Sequence, residues 1–236
     1  MNDKIYTLKN GLIVSCQITD EKGFYDPKNP IYGPEMMALI ARAAVNGGAV
    51  GIRVNGPKDT KAVKDAVNVP IIGINKMDIA GYDVRITPTL DAVKQIILSG
   101  ADIVAIDATQ RPHPGGLTSF DLIQRIKKDF KVLVMADIST VEEGIEAEKA
   151  CADIVATTLS TYTNYTMDRK KPDLELVQKL SKMVKIPIVC EGGISSPKEA
   201  KKALEFGAYA VTVGAMIVNV KRIVTAYVET LKKYQF

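Results

Sequence analysis

The chain contains no tryptophan, one histidine and three cysteines in 236 residues. A single imidazole, His113, cannot build a histidine-rich metal centre, so no catalytic metal is expected. His113 sits in the loop Gln110-Arg111-Pro112-His113-Pro114-Gly115-Gly116, where a lone histidine is more often solvated than catalytic. Cys16, Cys151 and Cys190 are odd in number and widely spaced, which excludes a disulfide framework and zinc-type spacing. Each lies in or beside an apolar run, so buried, reduced thiols are expected. No stretch approaches the ~20 apolar residues that a membrane helix needs. Met1 to Asn10 alternates polar and apolar residues rather than forming a targeting segment; a cytoplasmic chain is the simplest expectation. Charge blocks are also missing. The 31 basic against 27 acidic residues are dispersed, so there is no nucleic-acid stripe, and the excess at most favours an anionic ligand. No Gly-x-Gly-x-x-Gly follows the first apolar run, so no nucleotide cofactor is expected.

What is present is ordinary globular material, 47% hydrophobic and 25% charged, at a length that suits one (β/α)8 barrel spanning residues 1–236. Eight short apolar runs, at 12–16, 50–54, 71–75, 103–107, 132–136, 154–158, 188–190 and 210–213, are mostly continuous, as in parallel strands covered on both faces. Amphipathic stretches at 35–46, 89–99, 120–130, 141–150 and 174–184 lie between them and read as helices. Asn46-Gly47-Gly48-Ala49, Ser99-Gly100-Ala101-Asp102 and Phe206-Gly207-Ala208 repeat a helix-stopping glycine. Ala-Asp-Ile-Val occurs at both 101–104 and 152–155, a weak internal repeat. A doubly wound open sheet shares this alternation; eight units without the dinucleotide fingerprint favour the barrel.

Barrels work at the carboxyl ends of their strands. Those ends carry Gln17, Arg53, Lys76, Asp107, Asp137, Thr158, Glu191 and Gly214. Each alone could be polar merely because the chain meets water there, but their convergence on one mouth points to a site. Lys76 and Glu191, on strands three and seven, should face each other. A partly dry site lowers a lysine pKa and raises a glutamate pKa, making both usable acid/base groups; the alternative is a salt bridge without chemistry. Arg53 and Asp137 could be their partners. Gly192-Gly193-Ile194-Ser195-Ser196-Pro197 after strand seven and Gly214-Ala215 after strand eight could form a backbone cradle for phosphate. The polar, tyrosine-bearing segment at 161–166, with Tyr162, reads as a loop covering the substrate.

Taken in order, Ile13-Val14-Ser15-Cys16-Gln17, Gly47-Gly48-Ala49-Val50-Gly51-Ile52-Arg53, Pro70-Ile71-Ile72-Gly73-Ile74-Asn75-Lys76, Asp107-Ala108-Thr109, Met135-Ala136-Asp137, Thr157-Thr158-Leu159 with Tyr162-Thr163, and Glu191-Gly192 resemble the N-acetylmannosamine-6-phosphate 2-epimerase family. The resemblance runs from about residue 11 to 230. It implies C2 deprotonation and reprotonation of an open-chain N-acetylhexosamine 6-phosphate, with Lys76 and Glu191 as the acid/base pair. Arg53 and Asp137 would position them, and Gln17 would contact the sugar. Asp107, Thr158, Tyr162, Gly192, Gly193, Gly214 and Ala215 would line the substrate site. No metal or cofactor is implied; the ligand would be a small sugar phosphate, and the partner at most a second copy in a homodimer. One departure stands out. Where family members commonly carry Thr-Arg after strand eight, this chain reads Val218-Asn219, so the phosphate-facing arginine corresponds to Asn219, and Lys221 or Arg222 would have to replace its charge. Another sugar-phosphate isomerase or aldol-type barrel and a non-catalytic sugar-phosphate sensor stay open as alternatives.

Overall fold

The computed structural model describes residues 2–18 and 28–234. Its framework is a closed barrel of eight parallel strands in sequential order: β1 Leu12–Cys16, β2 Gly51–Asn55, β3 Ile71–Ile74, β4 Ile103–Asp107, β5 Leu133–Asp137, β6 Ile154–Ala156, β7 Ile188–Glu191 and β8 Ala210–Val213. β8 returns to pair with β1 through Leu12 and Val211. A short α1 (Asp3–Thr7) precedes β1; α2 (Pro34–Asn46), α3 (Pro57–Ala66), α4 (Leu90–Leu98), α5 (Ser119–Asp129), α6 (Val141–Lys149), α7 (Leu174–Met183) and α8 (Pro197–Glu205) each follow a strand, and α9 (Ala215–Val218) and α10 (Val220–Leu231) follow β8. The barrel expected from the eight runs is therefore present, and its strand bounds shift by a residue or two.

The continuous apolar runs have a direct cause. Alternate residues fill the barrel interior (Ile13, Ile72, Ile74, Ile103, Ala105, Met135, Ile154, Val189 and Ala210), with Ile5 and Leu8 of the α1 region packed among them. Their neighbours Val104, Ile106, Val134, Ala136 and Val155 face the helices instead, meeting Ile96, Leu122, Ile123 and Leu180. Both faces being dry, no position along most strands needs a polar residue. The helices start where the sequence supplies caps. Thr118 with Asp121 and Thr140 with Glu143 form capping boxes. They stop where Gly48, Gly100 and Gly207 take positive φ.

Three expectations need correction. Arg53 is not at a strand end but inside β2, opposite Ser15 and Ile72; a charge can stand there because Asp137 and Glu191 pair with it. Cys16 and Cys190 are buried, but Cys151 is exposed, since it lies just past α6 where the chain turns at positive φ. His113 is fully buried rather than solvated. Its backbone N–H donates to the carbonyl of Leu117 at 3.1 Å, and its Nδ1 meets the carbonyl of Pro88 at 3.1 Å.

Candidate active site

At the carboxyl ends of the strands lies a cavity of about 480 Å³. Of the twelve residues singled out from the sequence, eleven line it: Gln17, Arg53, Lys76, Asp107, Thr158, Tyr162, Glu191, Gly192, Gly193, Gly214 and Ala215. Asp137, wholly buried, lies beneath. A second hollow of about 420 Å³ beside α5 gathers exposed side chains such as Asp121, Arg125, Lys128 and Cys151. Nothing in it is poised for chemistry.

The floor is a charge network. Arg53 donates through both terminal nitrogens to Asp137, at 3.0 Å to Oδ1 and 2.6 Å to Oδ2. The same guanidinium lies 3.2 Å from Glu191 Oε2, and Thr158 donates its hydroxyl to Asp137 at 2.6 Å. Burial alone would weaken the charged form of Arg53, but Asp137 and Glu191 outweigh it and hold the guanidinium firmly protonated. The pairing is bidentate, the arrangement in which an arginine tolerates a dry setting.

Lys76 and Glu191 stand on this floor from opposite sides, just past β3 and at the end of β7. Lys76 is anchored by its backbone N–H to Asn55 Oδ1 at 2.8 Å and by a bridge to Ile86; its ammonium makes no hydrogen bond or ion pair among the described residues. Burial, reinforced by the positive charge of Arg53, brings its pKa down to about 8. Glu191 moves the other way. Burial, with Asp137 adding to it, raises its carboxyl above the usual range although Arg53 and Lys76 pull against the shift. The two groups are thus driven towards each other in proton affinity, as an acid/base pair requires. The side chain of Glu191 is 12% exposed, enough to meet a ligand.

Several buried polar atoms around the cavity have no partner among the described residues, including Gln17 Oε1, Arg53 Nε and Thr212 Oγ1. Since buried polar groups are normally satisfied, these mark places where a polar ligand would bond. Asp107 is taken: Arg111 contacts it at 2.7 Å and Thr109 donates its hydroxyl at 2.6 Å. Burial pushes the Asp107 carboxyl up, opposed chiefly by Arg111. The 161–166 segment is pinned by the buried Thr163 and Thr166 and by Tyr165, which donates to Glu143 Oε1 at 2.6 Å. That anchoring holds Tyr162 at the rim.

Sequence reasoning missed Ser15, Asp83, Arg85, Arg111, Lys171 and Thr212, all of which line the cavity. Most sit in loops, where no periodic pattern marks a residue; Ser15 and Thr212 are small polar residues within apolar strands. Asn219 does not reach the cavity. It is buried and caps α10, accepting the backbone N–H of Arg222 at 3.0 Å. Of the two proposed replacements for its charge, Arg222 lines the cavity and Lys221 does not. Among the described residues no cluster of three or more His, Cys, Asp or Glu side chains could hold a metal, and no helix is long and apolar enough to cross a membrane.

A closed parallel barrel with a tuned lysine and glutamate across its mouth, beside glycine turns and with six basic against three acidic residues in the lining, defines a (β/α)8-barrel protein equipped for proton transfer on a small anionic ligand. Comparison with known proteins narrows the class. The model of a family described as "Putative N-acetylmannosamine-6-phosphate epimerase" matches residues 37–233, and the chain belongs to that family. A relative from Caldanaerobacter subterraneus named "Putative N-acetylmannosamine-6-phosphate 2-epimerase" is 48% identical over 99% of this chain and 96% of its own; one of the same name from Thermosynechococcus vestitus is 44% identical over 95% of each. The solved structure of the N-acetylmannosamine-6-phosphate 2-epimerase from Clostridium perfringens superposes with a TM-score of 0.89 at 40% identity, covering 96% of both chains.

Proposed function

We propose that the protein interconverts N-acetylmannosamine 6-phosphate and N-acetylglucosamine 6-phosphate, as a cytoplasmic isomerase in the breakdown of amino sugars such as sialic acid. The observation that carries this reading is the opposition of Lys76, with its pKa near 8, and Glu191, with its pKa raised, across one cavity. Epimerisation at C2 needs a base on one face of the carbon and an acid on the other. The C2 proton is acidified only by the C1 aldehyde of the open-chain sugar, so one group removes it while an enolate forms, and the opposite group returns a proton. Arg53, cationic and buried, would offset the developing negative charge and hold Glu191 in place, with Asp137 and Thr158 fixing the guanidinium. Gln17 Oε1 could accept a bond from a sugar hydroxyl or the N-acetyl N–H, and Thr212 Oγ1 could accept or donate one. The phosphate end would lie at the Gly192-Gly193 and Gly214-Ala215 turns, whose backbone N–H groups need no particular side chain. Since Asn219 caps a helix away from the cavity, its departure from the family pattern concerns how the phosphate is held and leaves the acid/base pair intact. The reading includes a homodimer, supported by the exposed apolar stripe Val220, Val224, Tyr227, Val228 and Leu231 on α10.

The test is direct. In EDTA-treated buffer, purified protein should convert N-acetylmannosamine 6-phosphate to its C2 epimer and incorporate solvent deuterium at C2. Lys76→Ala and Glu191→Gln should each lower kcat by at least about 100-fold, the low end of what a positioned acid or base contributes, with the fold retained by circular dichroism. Turnover of other sugar phosphates alone, or binding without turnover, would replace this reading with one of its alternatives.

A further inference from the structure

With Asn219 withdrawn into a helix cap, the phosphate end of the cavity must draw its cationic charge from elsewhere. Six basic side chains line the cavity, and most are committed. Arg53 is bound to Asp137 and Glu191, Arg111 to Asp107 and Arg85 to Asp78. Lys76 stands with the acid/base pair. Lys171 and Arg222 remain.

Lys171 is built onto the glycine turn itself. Gly193 takes φ +79, and a Cβ placed there would come within 2.4 Å of Lys171 Cβ and 3.1 Å of its Cγ. The lysine stem therefore lies directly on the turn, and only a residue without a side chain leaves room for it. At its far end the ammonium rests 3.8 Å from the centroid of the Tyr162 ring, a cation–π contact that holds the charge at the rim without neutralising it. Tyr162 is kept in place by the anchors already described at Thr163, Thr166 and Tyr165. The ammonium has no carboxylate partner among the described residues. Arg222 lies on α10, none of whose residues is buried, so its placement is less constrained.

We infer that Lys171, held between the Gly192-Gly193 turn and the Tyr162 ring, is the principal phosphate-binding cation of this protein and a determinant of its preference for phosphorylated substrate. The inference rests on the proposed sugar-phosphate reading and extends it. Lysine suits this role, because a compact, mobile point charge can follow a phosphate that the turn's backbone N–H groups orient. As the ligand enters, the Lys171 ammonium would leave the Tyr162 ring for the phosphate.

The experiment compares Lys171→Gln, Tyr162→Ala, Arg222→Gln and the parent protein. It measures kcat and KM for N-acetylmannosamine 6-phosphate, and the dissociation constant of inorganic phosphate by calorimetry. Loss of one charge-assisted contact should raise KM for the phosphorylated substrate about 10- to 100-fold in Lys171→Gln, with kcat much less affected. Phosphate affinity should fall in step, and Lys171→Arg should restore most of it. Tyr162→Ala should give a smaller rise in KM, as should Arg222→Gln. The inference is overturned if Lys171→Gln keeps the parental KM and phosphate affinity, or if Arg222→Gln alone carries the loss. An inactive parent that still binds phosphate through Lys171 would sink the epimerase reading and leave the phosphate site standing.

Discussion

Arg53 shows at the residue scale why a charge can stay within a strand of a barrel. Its cost of burial is met chiefly by a carboxylate at two short contacts, and removing that carboxylate would leave the buried guanidinium with only the single 3.2 Å contact to Glu191. Asp137→Ala should therefore lower unfolding free energy by about 3–5 kcal/mol, read as a drop in urea midpoint at unchanged slope. Asp137→Asn should lose less, because its amide oxygen still accepts one bond. A native midpoint for the alanine variant would show that the pair does not support the fold. Lys76 and Glu191 lead to a prediction on pH. In the mechanism we propose, the competent pair carries one proton between them, as Lys76 ammonium with Glu191 carboxylate or as neutral amine with carboxylic acid. Both directions of reaction draw on that same singly protonated state. As pH rises through about 8, the lysine's lowered pKa, the pair loses its proton and kcat/KM should fall in both directions together. On the acid side a second proton arrives as pH falls through the raised pKa of Glu191, and the rate falls again. Such limbs belong to the pair rather than to one residue. A profile flat from pH 7 to 10 would argue against the assignment.

At the scale of elements, the site depends on the loops and helix starts that succeed each strand. The capping boxes at Thr118 and Thr140 set where α5 and α6 begin, and Glu143 does more than cap. It also accepts from Gln110, Ser139 and Tyr165, which ties the loops after β4, β5 and β6 into one rim. Asn219 belongs to the same scale: replacing it with arginine would remove a helix cap before it could place a charge in the cavity, so no gain in phosphate binding is expected from that change. The element left unfinished is α10. Its apolar residues recur at helical spacing from Val220 to Leu231 and stay between 43% and 68% exposed, an arrangement that monomeric proteins rarely leave uncovered. Light scattering should report twice the chain mass. Val224→Glu together with Tyr227→Glu should bring it down to a single chain, and a parent already at monomer mass would remove the homodimer from the reading.

For the whole molecule, the sequence by itself determined the barrel, because a parallel strand covered on both faces must be apolar throughout. Eight such runs with amphipathic helices between them leave few other closed arrangements. It also marked charged residues at the carboxyl ends of the strands, where the cavity lies. Lys76, Asp137 and Glu191 were readable there because a charged residue breaking off an apolar run has nowhere to go but the mouth. The tertiary structure decided what depends on contacts between distant segments. It brought Arg53 and Asp137 together across 84 positions, raised and lowered the proton affinities of Glu191 and Lys76, turned His113 inward and Cys151 outward, and chose Arg222 over Lys221 for the cavity. It also laid Lys171 on the Gly193 turn, a contact that no local pattern encodes. Periodicity records which face of a segment is dry, and that is a property of the segment alone; the partner across the cavity, and the field it exerts, exist only once the barrel closes.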